Sequence, residues 1–128
     1  MLTVLVVDDS AVMRRMIVRS MAVAALPVRK VLEAGGGKQA FELLCLHWID
    51  LVLCDINMPE MNGVELVEKM VGDALTAKVP VVMVSTERSQ VRIEQLRRLG
   101  VTAYLNKPFR PEELAKTVRE VLGLEHVA

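Results

Sequence analysis

The sequence predicts an α/β fold in which helices cover both faces of a doubly wound, five-stranded parallel sheet with the strand order 2-1-3-4-5. Short apolar runs alternate with segments of helical periodicity, and this unit repeats five times along 128 residues. The apolar runs are β-branched and nearly continuous, which is typical of parallel strands buried on both faces. Right-handed crossovers leave few topologies for such units, and this strand order is the commonest at this length.

Each predicted strand is a short apolar run that ends at polar or turn-forming residues. The first is Thr-Val-Leu-Val-Val, the third is Leu-Val-Leu-Cys and the fourth is Val-Val-Met-Val, whereas the second and fifth are weaker. In chain order, the expected ranges are 3–7, 29–33, 51–54, 81–84 and 103–106.

Each predicted helix places apolar residues on one face. In chain order, the expected ranges are 11–24, 38–47, 64–71, 90–99 and 111–122. In the first, Met13, Met16 and Met21 are predicted to lie in the core, while arginines lie mostly on the other face. The last opens with Pro111 and two glutamates, which suit the backbone and the dipole of a helix N-terminus. No linker interrupts the pattern, so residues 1–128 are predicted to form a single domain.

Composition excludes several classes of protein. Hydrophobic residues make up 52% of the chain and charged residues 25%, which is not the composition of a disordered chain. The 16 lysines and arginines balance the 16 aspartates and glutamates, so a strongly basic nucleic-acid-binding surface is not expected. Neither a membrane-spanning run nor a signal peptide is evident, and we expect a soluble, cytoplasmic protein. Cys45 and Cys54 are predicted to be reduced core thiols, and Trp48 to pack where the second helix leads into the third strand.

Polar residues follow four of the five predicted strands. Asp8 and Asp9 follow the first strand, Asp55 the third, Ser85 the fourth and Lys107 the fifth. These strands are neighbours in the predicted order, and ligands bind at the carboxyl ends of strands in open parallel sheets. Three adjacent carboxylates require a cation, and oxygen ligands suit Mg²⁺. With a lysine and a hydroxyl beside them, the set predicts Mg²⁺-dependent phosphoryl transfer.

Four motifs carry a resemblance to a known family. They are Val-Asp8-Asp9-Ser, Asp55-Ile-Asn-Met-Pro-Glu-Met-Asn-Gly, Val-Ser85-Thr-Glu and Lys107-Pro-Phe. In this order and spacing the chain resembles the receiver domain of two-component response regulators, in the CheY-like single-domain subgroup. The resemblance runs from Leu2 to Leu122 and implies a flavodoxin-like, CheY-like (βα)5 fold. It also implies a phosphorelay role such as chemotaxis, in a signalling switch rather than an enzyme, with intrinsic self-dephosphorylation.

The resemblance implies a role for each residue at the strand ends. Asp55 would accept a phosphoryl group from the phosphohistidine of a sensor histidine kinase or phosphotransfer protein. Asp9 and Asp55 would bind Mg²⁺ directly with the backbone carbonyl of Asn57, and Asp8 would act largely through water. Lys107 would pair with the phosphoryl oxygens. The Lys107–Pro108 peptide bond is expected to be cis.

The resemblance also implies a switch. Ser85 would move toward the phosphoryl group, Tyr104 would be the rotating aromatic residue, and Asn57 and Glu87 would tune self-dephosphorylation. The surface of helix 4, strand 5 and helix 5 would signal to a partner, with candidate contacts Arg88, Arg92, Ile93, Tyr104 and Asn106. The expected output is a protein target rather than nucleic acid or membrane, and the expected state is a monomer or a phosphorylation-dependent dimer.

Two features depart from the family pattern. Gly35-Gly36-Gly37 stands where relatives often carry Asp or Asn, which predicts a weak N-cap and a looser loop before the second helix. The switch position holds Ser85 rather than threonine. The glycines also match a dinucleotide-binding fingerprint, but such a fingerprint usually occupies the first strand–helix turn.

Two alternative functions remain at this point. An aspartate-nucleophile phosphatase would also use Asp, Mg²⁺ and Lys, but it typically carries Asp-x-Asp where this chain has adjacent Asp8 and Asp9. A degenerate receiver that serves only as an interaction module would lack a metal ligand or the acceptor, whereas Asp9, Asp55 and Lys107 are all present.

Overall fold

The computed structural model describes residues 1–101 and 103–124, and within them a parallel five-stranded sheet has the order β2-β1-β3-β4-β5. The strands are β1 Leu2–Val7, β2 Val28–Ala34, β3 Leu51–Cys54, β4 Val81–Ser85 and β5 Ala103–Asn106. The helices are α1 Ala11–Val23, α2 Gly37–Leu46, α3 Gly63–Val71, α4 Gln90–Arg98 and α5 Pro111–Leu122. The predicted flavodoxin-like fold class and strand order are confirmed, and no predicted element bound differs from the observed one by more than one residue.

Side chains at the helix N-termini explain where most helices begin. The Ser10 and Ser89 hydroxyls accept hydrogen bonds from the first turns of α1 and α4. Asn62 precedes α3 and forms a reciprocal capping box with Glu65. The Asn62 side-chain oxygen accepts from the Glu65 N–H, and the Glu65 carboxylate accepts from the Asn62 N–H. By contrast, α2 begins after Gly36 with no side-chain cap, as the glycine run predicted.

The core consists of one layer on each face of the sheet. Alternate residues of β1 point to opposite faces, so Leu5 belongs to one layer and Val4 to the other. The first layer lies under α2, α3 and α4, and the second lies under α1 and α5. Both faces are therefore covered, as the continuous apolar strands required.

Three predicted core residues are exposed instead. Trp48 is 96% exposed, because α2 ends at Leu46 and Ile49 is the residue of the following loop that packs into the core. Cys45 is exposed because Leu44, one residue earlier, occupies the inward face of α2. Met16 is 53% exposed for the same geometric reason, since Ile17 and Met21 form the buried side of α1.

No helix within the described residues is long and apolar enough to cross a membrane.

Candidate functional site

The site lies at the carboxyl edge of the sheet. The parallel register puts Val7 of β1 beside Cys54 of β3, so the residues that follow them, Asp8 and Asp55, are neighbours. The Asp55 N–H donates to the Val7 carbonyl at 2.9 Å, and the Asp8 N–H donates to the Ala34 carbonyl at 3.1 Å. Sheet hydrogen bonding therefore continues one residue beyond both strands and holds the two aspartates in place.

Three carboxylates converge at this edge. Asp8, Asp9 and Asp55 each offer one oxygen, and these oxygens lie within 4.8 Å of one another. Asp8 is 2% exposed and Asp55 9%, while Asp9 faces solvent. The Ser10 N–H donates to the Asp8 carboxylate at 2.9 Å, and the Asn57 N–H donates to the Asp55 carboxylate at 3.4 Å. The buried pair forms the floor of the site, and Asp9 forms its solvent side.

Lys107 supplies the site's ammonium group. Its N–H donates to the Ser85 carbonyl at 3.0 Å, which holds the residue at the end of β5 next to β4. From there its side chain reaches past two strands, and Nζ lies 2.7 Å from Asp8 Oδ2 and 3.4 Å from Asp55 Oδ2. The peptide bond from Lys107 to Pro108 is cis, as expected.

The charges and donors of the site suit a divalent cation. One ammonium group beside three carboxylates leaves an excess of negative charge, and close carboxylates favour a further cation. The side chains that could bind a metal offer only carboxylate oxygens. Oxygen ligands suit Mg²⁺, whereas softer metals prefer nitrogen or sulfur ligands.

Cys54 directly precedes Asp55, and its thiol is buried. Its side chain is fully buried, and its thiol lies 3.1 Å from the Asp55 carbonyl. Burial, and secondarily the neighbouring charge of Asp55, raises the pKa of the Cys54 thiol far above its usual range. The thiol is therefore protonated and belongs to the core. The prediction of a core thiol is correct for Cys54 and wrong for Cys45.

A second hydrogen-bonded group links β4, β5 and the loop after β3. The fully buried Ser85 hydroxyl accepts from the Glu87 N–H at 3.2 Å, and the Tyr104 hydroxyl donates to the Glu87 carbonyl. The Glu87 carboxylate accepts from Asn57 Nδ2 at 2.9 Å and from the Ser89 N–H at 3.1 Å. These two bonds, with the Asn57 bond the larger effect, lower the pKa of Glu87. Burial raises the pKa of the half-buried Tyr104 phenol.

The arginines of α4 differ in their surroundings. Arg97 and Arg98 pair with Glu94 at 3.3 Å and 3.7 Å, so their charge is partly offset on their own helix. All five residues predicted as contacts for a partner are exposed or half-buried and lie on or next to α4 and β5. These are Arg88, Arg92, Ile93, Tyr104 and Asn106.

Two residues of the site were not identified from the sequence. Gly63 packs against the backbone of Asp55 and Ile56, and a Cβ there would lie 2.4 Å from the Asp55 carbonyl oxygen. Gly63 closes the motif that begins at Asp55, but the motif does not reveal this contact. Arg14 donates to the Asp8 carbonyl at 2.7 Å, although the helical pattern had assigned it to a solvated face. Arg14 also donates to Glu33 on β2, and no local pattern identifies either contact.

Comparisons with known proteins agree with this geometry. The model of the response regulator receiver domain matches residues 4–119. The chemotaxis protein CheY homolog of Campylobacter jejuni is 39% identical over 120 residues, which cover 93% of this chain and 91% of the relative. Chemotaxis protein CheY1 of Helicobacter pylori is 40% identical over 120 residues, with coverage of 93% and 95%.

A solved structure shows the same fold. The chemotaxis protein CheY4 of Vibrio cholerae matches with a TM-score of 0.85 at 34% identity, over 95% of this chain and 99% of that one. The sheet order, the acidic strand ends and the family match over most of the chain lead to one conclusion. The chain belongs to the family of response regulator receiver domains and is CheY-like within it.

Proposed function

We propose that this receiver domain accepts a phosphoryl group on Asp55 from the phosphohistidine of a sensor histidine kinase or phosphotransfer protein. The observation that carries the proposal is the setting of the Asp55 carboxylate. It is largely buried beside two further carboxylates, and the Lys107 ammonium lies 3.4 Å away. This setting suits a nucleophile that must meet an anionic phosphoryl group, since charge stabilisation and positioning dominate such transfers.

The proposed transfer forms one bond and breaks one. An Asp55 carboxylate oxygen attacks the phosphorus, the phosphorus–nitrogen bond of the phosphohistidine breaks, and the imidazole nitrogen keeps the electron pair. The product is an acyl phosphate on Asp55. Lys107 would then pair with a phosphoryl oxygen, because its ammonium group already lies between Asp8 and Asp55.

Mg²⁺ is the cofactor that the donor set fits. We assign direct binding to Asp9, Asp55 and the backbone carbonyl of Asn57, with Asp8 acting largely through water. When bound, the ion supplies positive charge that offsets the charge of the carboxylates and the phosphoryl oxygens.

Phosphorylation is proposed to act on the hydrogen-bonded group around Glu87. Ser85 and Tyr104 both bind the backbone of Glu87, so a shift of the Ser85 hydroxyl toward a phosphoryl oxygen affects the segment that holds Tyr104. Tyr104 then turns inward and changes the surface of α4, β5 and α5 that includes Arg88, Arg92, Ile93 and Asn106. The change is a population shift toward the arrangement that the phosphoryl group prefers.

The switch is proposed to reset by hydrolysis of the acyl phosphate. Asn57 and Glu87 join the loops after β3 and β4 through their 2.9 Å hydrogen bond. We propose that this pair governs the access of water to Asp55 and so tunes self-dephosphorylation.

The proposed partners are proteins. The phosphodonor is a histidine kinase or phosphotransfer protein, and the receiver of the signal is a protein target rather than nucleic acid or membrane. The protein is proposed to act in the cytoplasm, as a monomer or a phosphorylation-dependent dimer, with residues 1–128 as one receiver domain. Chemotaxis is the named role of the two relatives above and is the proposed pathway class here.

The acceptor is tested by intact-mass spectrometry after incubation with acetyl phosphate and Mg²⁺. We expect the wild type to gain the mass of one phosphoryl group and Asp55→Asn to gain none. The control is Asp73→Asn, at an aspartate in the loop after α3, which we expect to label as the wild type does. Trp48 is not a suitable fluorescent reporter, because it lies at the amino edge of the sheet, opposite the site, and is 96% exposed.

The other outcomes distinguish the alternatives. Wild-type labelling of Asp55→Asn would refute the acceptor assignment. Multiple turnover of a free phosphoester would indicate an aspartate-nucleophile phosphatase. A folded wild type that neither labels nor binds Mg²⁺ would indicate a receiver that serves only as an interaction module.

A further inference from the structure

We propose that Arg14 is a positioning residue for the metal site: its guanidinium holds the Asp8–Asp9 peptide and thereby places the Asp9 carboxylate for Mg²⁺. The inference rests on the proposed function, in that it takes Asp9 to be a direct metal ligand.

Arg14 connects three segments at the carboxyl edge of the sheet. From the second turn of α1, its Nη1 donates to the Asp8 carbonyl at 2.7 Å, and its Nε donates to Glu33 Oε1 on β2 at 3.0 Å. A Cβ on Gly35 would lie 3.8 Å from Nη1, so the guanidinium also passes close to the glycine loop. The side chain is only 20% exposed, which limits competition from water.

Asp9 depends on these backbone contacts. Within the described part of the chain, its exposed carboxylate has no hydrogen-bond partner, unlike the carboxylate of Asp8, which binds Ser10 N–H and Lys107. The backbone on each side of Asp9 is held instead. The preceding carbonyl is bound by Arg14, and the following N–H, that of Ser10, is bound by the Asp8 side chain. Removing Arg14 releases the first of these two restraints.

The geometry requires arginine rather than a cation alone. Arg14 uses two nitrogens, Nε and Nη1, to donate to one acceptor on β2 and to another directly after β1. Lysine has a single terminal nitrogen and no planar fork, so it would keep the charge without holding both acceptors in this arrangement. Glu33 orients the fork from the β2 side and also offsets its charge.

A positioning role and a purely electrostatic role of Arg14 predict opposite effects of one substitution on the affinity for Mg²⁺. If Arg14 acted only through its charge, Arg14→Met would remove a cation close to the acidic cluster and strengthen Mg²⁺ binding. If Arg14 acts by holding the backbone, the same substitution weakens binding. Residues that orient metal ligands typically contribute a factor of 10 or more to affinity, and we expect a loss of about tenfold.

The test is a Mg²⁺ titration of the unphosphorylated protein, followed by the backbone amide resonances of residues 8–10 in NMR spectra. We expect Arg14→Met and Arg14→Lys to weaken binding about tenfold and Glu33→Gln to weaken it less. Arg15→Met is the matched control, because Arg15 is the exposed neighbour on α1, and we expect its affinity to equal that of the wild type. Saturating Mg²⁺ should restore acetyl phosphate labelling of both Arg14 variants, because Asp55 and Lys107 are unchanged.

The results separate this inference from the proposed function. Unchanged or tighter Mg²⁺ binding by Arg14→Met, with normal binding by the wild type, would overturn the positioning role alone. Absence of Mg²⁺ binding by the wild type would overturn both. If Arg14→Met does not fold, Arg14→Lys decides the question, because equal affinity for that variant would show that only charge matters.

Discussion

The packing of Gly63 leads to a prediction in which two glycine-to-alanine substitutions have opposite effects on stability. A Cβ at Gly63 would lie 2.4 Å from the Asp55 carbonyl oxygen and 2.9 Å from the Ile56 Cα, both of which are backbone atoms. Real Cβ contacts are almost never shorter than 3.0 Å, so the Asp55 backbone and α3 must separate by at least 0.6 Å. Such overpacking costs about 1–3 kcal/mol, and it also strains the 2.8 Å bond from the Gly63 N–H to the Ile56 carbonyl.

Gly72, at the other end of α3, is the matched control. A Cβ there would meet its nearest neighbours at 3.6 Å and 3.7 Å, which is ordinary van der Waals contact, and its φ of −78° suits alanine. Gly72→Ala should therefore stabilise the protein by about 0.4–1 kcal/mol, because it restricts the unfolded chain.

Urea unfolding followed by circular dichroism measures both free energies of unfolding. We expect Gly63→Ala to lower the free energy by about 1–3 kcal/mol and to slow acetyl phosphate labelling, because the Asp55 backbone is displaced. A Gly63→Ala variant as stable as Gly72→Ala would refute the argument, since the two substitutions remove the same backbone freedom.

Three further predictions concern single side chains. The lowered pKa of Glu87 means that its stabilising bond to Asn57 is fully present above the ordinary glutamate pKa and is lost as the pH falls through the lower folded-state pKa. The Glu87 side-chain carbon resonance should therefore titrate below the usual glutamate range, and Asn57→Ala should raise its midpoint; an unshifted midpoint in that variant would contradict the assigned cause. Glu60 has a φ of 63°, which lies in the left-handed region that asparagine adopts more readily than glutamate. Glu60→Asn should therefore raise the free energy of unfolding in urea by about 0.5 kcal/mol, and a lower free energy would show that the Glu60 side chain makes a stabilising contact. A thiol reagent should modify Cys45 rapidly in the native protein and Cys54 only after unfolding, whereas equal rates would mean that β3 opens in the native state.

The order of elements and the acidic strand ends could be predicted from the sequence because both depend on local pattern. Continuous β-branched runs report burial on two faces, and the alternation with helices leaves few topologies. Once the order is known, the residues that follow neighbouring strands must meet at one edge. Asp8, Asp55 and Lys107 could therefore be named from their positions alone, and the structure brings them together.

Side-chain direction at the ends of elements was decided only by the tertiary structure. Trp48 is apolar but lies outside because Ile49 takes the core position next to it, and Cys45 and Leu44 differ by one step around α2. A shift of one residue along a helix moves the side chain about a quarter turn around the axis. A shift of this size lies within the uncertainty of a predicted helix boundary, so the pattern does not decide which of two neighbours faces the core.

Contacts between distant segments likewise depend on the folded chain. The bonds of Arg14 to the Asp8 carbonyl after β1 and to Glu33 on β2, and the fit of Gly63 against the Asp55 backbone, are contacts that no residue pattern predicted. Composition and periodicity indicate which residues are buried. They carry no information on which atoms contact one another across strands. The sequence thus determined the fold and the acidic edge of the sheet, whereas only the tertiary structure decided which residues hold that edge in place.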